Sequence, residues 1–102
     1  MSTIVDHIGV PALLEQTAEE CCELAQACLK MARKLRDENP TPKSIEDIRD
    51  NLVEEMADVW LCLDIIMDGS EITDRVDVLD AGIGKQIRWE KRLGLSLDLE
   101  EE

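Results

Sequence analysis

The fold of this 102-residue chain is decided by residues 11–35, PALLEQTAEECCELAQACLKMARKL. Within this stretch, apolar and small residues recur at alternating steps of four and three, the spacing of one helical face. They are Leu14, Ala18, Cys21, Ala25, Cys28, Ala32 and Leu35. Pro11 suits the opening turn of a helix, and the Asn-Pro-Thr-Pro segment at 39–42 forbids its continuation. The stretch therefore predicts one long amphipathic helix.

A second helix is predicted to start at Ser44, whose hydroxyl can cap it while Asp47 reaches back in a capping-box arrangement. It should end at Met67 or Asp68, with Gly69 as the stop. One face carries most of its apolar residues, namely Ile45, Ile48, Leu52, Met56, Val59, Leu63 and Ile66, and another side carries Leu61 and Ile65. Two apolar faces predict two packing partners.

A third helix is predicted to open at Ser70 or Thr73 and to close before Gly94. Gly82 and Gly84 lower the helical propensity of its middle and leave it open to a break there. The acidic tail over residues 95–102 is expected to fray. We expect a single all-α domain over residues 1–102, a helical hairpin plus a third helix. Its four-helix-bundle core would be completed by a second copy, in a dimer or a dimer of dimers.

The composition excludes several classes of function. With 11 basic and 24 acidic residues, the formal charge is −13, which disfavours binding to nucleic-acid polymers and anionic membranes. No run is apolar over the length of a membrane span, and the start lacks a secretion-signal pattern. The four cysteines lack CxxC spacing, so we interpret them as small apolar residues of a cytoplasmic protein: Cys21, Cys22, Cys28 and Cys62.

Two carboxylate pairs form the candidate site. Residues three apart lie on one helical face, so Glu20 pairs with Glu23 on the first helix, and Glu55 with Asp58 on the second. Projection at about 100° per residue places both pairs at the margin of an apolar stripe. Because buried carboxylates are costly unless something pairs with them, these four predict a cation between the helices.

Oxygen-only ligands select a hard ion, Mg²⁺ or in its place Mn²⁺, over zinc or copper. A di-iron centre would add a histidine on the same helices, and His7, the only histidine, lies outside them. The same projection turns Glu19 and Glu54 away from the apolar stripes. The alternative is that such acidic pairs arise by chance on the solvated faces of a very acidic chain.

The segments EECCEL at 19–24 and EMADV at 55–59 resemble the EExxE and ExxD signature of the MazG-like all-α nucleotide pyrophosphatases. Relatives of that family include dimeric dUTPases and phosphoribosyl-ATP pyrophosphatases, and the resemblance spans roughly residues 13–93. It implies catalytic and Mg²⁺-ligating roles for Glu20, Glu23, Glu55 and Asp58. It also implies cleavage of the α–β phosphoanhydride, giving a nucleoside monophosphate and pyrophosphate.

Basic residues are candidates for holding the substrate phosphates. Lys85, Arg88 and Arg92 share one face of the third helix, where they could bind outer phosphates. They could equally complement the helix dipole and pair with Glu90 or the acidic tail. Lys30 lies near the face of the first carboxylate pair and could reach a phosphate or remain solvated.

Two amides and two tryptophans complete the set of candidates. Gln16 and Asn51 each precede a presumed ligand by four residues, so they could read a base edge or serve as polar boundary residues. Trp60 projects onto the apolar side of its helix and is expected to pack there. Trp89 could stack on a base or fill a subunit interface. The interface is favoured, because large aromatic residues are enriched at such sites.

The sequence thus predicts a Mg²⁺-dependent nucleoside triphosphate pyrophosphohydrolase whose substrate is a ribo- or deoxyribonucleotide, including non-canonical ones. Two alternatives from other classes stay open. One is a non-catalytic acidic helical module that binds partner helices. The other is a regulatory nucleotide-binding protein, which would respond to the metal without turnover.

Overall fold

The computed structural model describes residues 3–38 and 42–95, which form four helices: α1 (Ile4–Ile8), α2 (Val10–Arg36), α3 (Ile45–Gly69) and α4 (Arg75–Arg92). The predicted all-α fold is confirmed, since these residues contain no strand. None of their helices combines the length and apolar character needed to cross a membrane. The expectations for Pro40 and for the acidic tail fall on residues 39–41 and 96–102, outside the described ranges.

Helix α1 is an element that the sequence prediction missed. The backbone N–H of Asp6 donates to Thr3 Oγ1 over 3.1 Å, and that of Thr3 donates to Asp6 Oδ2 over 3.0 Å, which forms a capping box. The Thr-x-x-Asp spacing was therefore a readable signal. Gly9, at φ 84°, adopts a backbone conformation that favours glycine and separates α1 from α2.

Helices α2 and α3 pack together as the predicted hairpin. Helix α2 ends where Asp37 enters the left-handed region at φ 55° and its N–H bonds the carbonyls of Arg33 and Lys34. Ser44 caps α3, because its Oγ accepts from the backbone N–H of Asp47 over 3.2 Å, which is one of the two hydrogen bonds of the predicted capping box. The short connection makes the two helices antiparallel neighbours.

The buried face of α2 differs from the predicted stripe. Leu13 and Ala27 are the buried residues of α2, and they lie in the same row as Glu20. The stripe that runs from Leu14 to Leu35, hereafter the Leu14–Leu35 stripe, is exposed apart from the half-buried Ala32. Cys21 and Cys28, which belong to this stripe, are exposed and take no part in the core. The periodicity was correct, but it could not tell which of two apolar rows meets α3.

The prediction for α3 is confirmed in part. Buried apolar residues on its inner face are Ile48, Val59, Cys62 and Ile66. Three other members of the predicted face are exposed, namely Ile45, Met56 and Leu63. Trp60 is 67% exposed, so the expectation that it packs is wrong within one chain. The apolar residues of α3 therefore cover more of its surface than the part that contacts α2.

Helix α4 leaves the hairpin at an elbow held by ion pairs. Arg75 Nη1 lies 3.1 Å from Asp64 Oδ1, and Arg75 Nη2 lies 2.9 Å from Asp68 Oδ1. Ser70, which is buried, donates from its Oγ to the carbonyl of Ile66 over 2.6 Å. The predicted start at Ser70 or Thr73 is therefore shifted to an N-cap at Asp74.

Once formed, α4 is one uninterrupted helix, so the expected weakness at Gly82 and Gly84 does not break it. None of its residues is buried. The Cα radius of gyration of 17.9 Å exceeds the value of about 13 Å typical of a compact 100-residue domain. The difference reflects a helix that extends away from the hairpin.

Candidate metal centre

The packing of α2 against α3 brings both carboxylate pairs together. One carboxylate oxygen from each of Glu20, Glu23, Glu55 and Asp58 lies within 4.8 Å of the others. These four residues are called the acidic cluster below. Each pair spans one helical turn, so the side chains of a pair share a face, and the antiparallel hairpin turns the two faces toward each other.

Burial within the acidic cluster is uneven. Glu20 and Glu55 are half-buried, whereas Glu23 and Asp58 are exposed. Among the described residues, Glu20 Oε2 and Glu55 Oε2 are buried atoms with no hydrogen-bond partner. A buried anionic oxygen without a donor is unfavourable, so this arrangement suits a cation that would satisfy both oxygens at once.

The environment raises the pKa of both half-buried glutamates. For Glu20 the main cause is desolvation, with repulsion from Glu23 and Asp58 adding to it, and a hydrogen bond from Gln16 acts in the opposite direction. Desolvation also raises the pKa of Glu55 most, followed by the charge of Glu23. Both shifts arise chiefly from desolvation, and the negative charges of the neighbouring carboxylates add to them.

The glutamates that precede Glu20 and Glu55 in the sequence lie where the helical projection placed them. Glu19 and Glu54 are exposed, as the sequence predicted from their angles on the two helices. Their side chains take no part in the cluster, although each is adjacent in sequence to one of its members. Glu54 is therefore a natural reference for the effect of removing one negative charge beside the site.

Of the candidate substrate residues, Gln16 is the one that the structure joins to the cluster. Its Nε2 donates to Glu20 Oε1 over 2.8 Å. Asn51 and Lys30 are exposed, on the same sides of α3 and α2 as the cluster by projection. Their roles remain predictions.

The basic residues of α4 lie apart from the cluster. Helix α4 does not pack extensively against α2. Lys85 lines an open depression on α4 itself, beside Trp89 and Leu93. Arg88 and Arg92 are exposed on the same helix. Contact between these cations and a substrate at the cluster therefore needs either movement of α4 or a second chain.

Comparisons of this chain with protein-family models, with curated proteins and with solved structures found no match. The class that the fold and site define is an all-α protein with a four-carboxylate cluster between two antiparallel helices.

Proposed function

We propose that this protein is a Mg²⁺-dependent nucleotide pyrophosphohydrolase of the MazG-like type, acting in the cytoplasm on a nucleoside triphosphate. The observation that carries the proposal is the acidic cluster, in which four carboxylates offer oxygens within 4.8 Å of one another. Two carboxylate oxygens of the cluster residues, Glu20 Oε2 and Glu55 Oε2, are buried and have no hydrogen-bond partner.

The donor set fits a hard divalent cation. Glu20, Glu23, Glu55 and Asp58 would hold Mg²⁺, or Mn²⁺ in its place, because both ions prefer oxygen ligands. When bound, the ion would neutralise charge on the substrate phosphates and on the phosphoryl group under attack. A chain of formal charge −13 needs such help to accept a polyanion.

The carboxylates themselves would orient the attacking water. Glu20 or Glu23 would also polarise this water and accept the proton that it loses. The oxygen of that water would form a bond to the α-phosphorus, and the bond from this phosphorus to the bridging oxygen would break. Nucleoside monophosphate and pyrophosphate would then leave.

The outer phosphates require cations that one chain does not place at the cluster. We propose that Lys85, Arg88 and Arg92 supply them from a second copy in a homo-oligomer, with Lys30 contributing from α2. Gln16 and Asn51 would then border the base. Support for a second copy comes from the exposed apolar residues of α4, including Val76, Leu79 and Ile83.

The deciding assay measures pyrophosphate release from a panel of substrates with Mg²⁺. The panel contains ribo- and deoxyribonucleoside triphosphates, phosphoribosyl-ATP and oxidised analogues. We expect turnover of at least one member, and loss of it in Glu20→Gln, Glu55→Gln and Asp58→Asn. Glu54→Gln is the matched control, since it removes a charge next to Glu55 outside the cluster. Full activity in any two of the cluster variants would rule out this catalytic site.

A second candidate is a non-catalytic helical module, and the exposed apolar surface at the elbow favours it. There, a cavity of about 200 Å³ is lined largely by apolar side chains, among them Trp60, Met67 and Leu79. This candidate predicts no turnover and no rise in melting temperature with millimolar Mg²⁺. A metal response without turnover would instead indicate a regulatory nucleotide-binding protein.

A further inference from the structure

The acidic cluster lies near the middle of the hairpin, and the charges toward the two ends of the hairpin are unequal. Toward the turn between α2 and α3, residues 30–49 carry every basic residue of the hairpin, namely Lys30, Arg33, Lys34, Arg36, Lys43 and Arg49. The acidic residues of the same stretch are fewer, namely Asp37, Glu38, Glu46 and Asp47. Residues 1–29 and 50–74 contain no lysine or arginine. A polyanion anchored at the cluster is therefore attracted toward the turn.

Two residues continue the carboxylate faces in opposite directions. Lys30 follows Glu23 by seven residues on α2, and Ile65 follows Asp58 by seven residues on α3. Seven residues return a helix to within about 20° of the same direction and advance it by about 10 Å. Because the helices are antiparallel, Lys30 lies on the turn side of the cluster and Ile65 lies on the side of α1.

Lys30 is exposed on the turn side of the cluster. Asp47 and Glu54 project to the same side of the hairpin from α3, but within the described ranges neither forms an ion pair with Lys30. A lysine in this position can extend toward the outer phosphates of a nucleotide whose α-phosphate lies at the cluster.

Ile65 lines a cavity of about 250 Å³ between α1 and α3, called the α1 cavity below. Its lining residues are Thr3, Ile4, Val5, Asp64, Ile65, Asp68 and Gly69. A Cβ added at Gly69 would lie 3.4 Å from Val5 Cγ2, so α1 packs directly against α3 here. No basic side chain lines the cavity, and its two acidic residues pair with Arg75. The α1 cavity therefore suits a neutral ring better than a phosphate.

We propose that a nucleotide bound at the acidic cluster lies along the hairpin, with its outer phosphates toward the turn beside Lys30 and its base in the α1 cavity against Ile65. This inference rests on the proposed function and adds the direction in which the substrate lies. It also narrows the role proposed above for the two amides, since Gln16 lies toward the base and Asn51 lies toward the phosphates.

Equilibrium binding of two partial ligands tests this direction. Tripolyphosphate has phosphates and no nucleoside, whereas a nucleoside monophosphate has a base and no outer phosphates. We would titrate each into the full-length protein with Mg²⁺ and measure its affinity by calorimetry. The common ribo- and deoxyribonucleoside monophosphates are compared first, and the one that binds most tightly is used with the variants.

Each end of the hairpin should respond to one probe. Lys30→Ala should weaken tripolyphosphate by about 10-fold, the loss expected for one hydrogen bond to a charged group, and leave the monophosphate unchanged. Ile65→Ala should weaken the monophosphate by about 10-fold, because a smaller side chain leaves the base poorly packed, and leave tripolyphosphate unchanged. The unchanged affinity in each variant also shows that the cluster is intact.

Matched controls lie on the opposite side of the hairpin. Arg49→Ala removes a cation near the turn, and Arg49 projects about 120° from Glu55, away from Asp58. Leu63→Ala shortens an apolar residue that is 41% exposed and projects about 80° from Glu55, also away from Asp58. Neither control should change the affinity for either probe.

The outcomes separate the direction of the nucleotide from the proposed enzyme. Variants that affect both probes equally, or each the opposite probe, would overturn the direction. A wild-type protein that binds neither probe with Mg²⁺ would overturn the direction and the proposed function together. The expected pattern without turnover of any triphosphate would uphold the direction and leave a nucleotide-binding protein in place of an enzyme.

Discussion

Gln16 donates a hydrogen bond to Glu20 over 2.8 Å, one helical turn away on α2. The bond engages Oε1 of the glutamate and leaves Oε2 buried and without a hydrogen-bond partner. Gln16 therefore orients the carboxylate that the proposed metal site needs, with the unsatisfied oxygen as the available ligand. Residues that hold a ligand in this way usually matter to metal binding nearly as much as the ligand.

Replacing Gln16 by alanine should weaken the apparent Mg²⁺ affinity by about 10-fold to 100-fold, because the Glu20 carboxylate would lose its fixed orientation. Isothermal titration with Mg²⁺ alone would measure the change. Gln26→Ala removes an exposed amide elsewhere on α2 and serves as the control. Equal affinities in the two variants would show that Gln16 does not position the ligand.

The metal-free protein should become more stable as the pH falls from about 7 toward 5. The pKa values of Glu20 and Glu55 are raised above the ordinary 4.5, so the folded state binds more protons than the unfolded state in this range. The associated stability is complete below the unfolded pKa and is lost as the pH rises through the folded pKa.

Thermal melting across this pH range, with and without Mg²⁺, would measure that dependence. Mg²⁺ should stabilise most at the higher pH, where the carboxylates are ionised and free to bind it. In Glu55→Gln the rise in melting temperature on acidification should shrink, whereas Glu54→Gln should keep it. A wild-type melting temperature that falls steadily from pH 7 would contradict the expectation.

Replacing Arg75 by alanine should loosen the elbow between α3 and α4. Arg75 pairs with both Asp64 and Asp68, and its removal leaves two acidic side chains without their shared cation. Amide hydrogen exchange over the first turns of α4 should become faster. Arg49→Ala, which breaks an exposed pair with Asp50, should leave exchange in α4 unchanged. Equal exchange in the wild type and in Arg75→Ala would show that the ion pairs do not hold the elbow.

Replacing Gly82 by alanine should stabilise α4 by about 0.5–1 kcal/mol, the usual difference between the two residues within a helix. A Cβ added at Gly82 meets nothing within 4 Å. At Gly84 the added Cβ would lie 3.3 Å from Arg88 Nη1. Gly84→Ala should therefore stabilise α4 less than Gly82→Ala does. Chemical denaturation of both variants measures the difference. A larger gain for Gly84→Ala would be inconsistent with this reasoning.

Much of the site was predictable because it depends on local geometry. Helix formation by residues 10–36 follows from the periodicity of their apolar residues. The cap at Ser44 follows from its hydroxyl, which can bond the backbone three residues further along the chain. Glu20 and Glu55 could be placed at the buried margin because a helix advances by a constant angle per residue. The hydrogen bond from Gln16 was less visible, since a polar residue one turn away has several possible partners.

Helix α1 and the elbow were harder to predict. The capping box at Thr3 is a local signal, but the five residues it opens are too few for a periodic pattern. The contacts of Arg75 with Asp64 and Asp68 join residues on either side of a turn, and the path of that turn depends on Ser70 and its hydrogen bonds. Sequence spacing alone does not determine such a path.

The sequence by itself determined that this protein is helical, that its long helices form a hairpin, and that four carboxylates lie beside the apolar rows. Only the tertiary structure decided that α2 buries the row of Leu13 and Ala27 and exposes the Leu14–Leu35 stripe. It also decided that α4 extends away with its apolar side uncovered. The physical reason is that periodicity reports the faces a helix has, whereas burial depends on which neighbour each face meets.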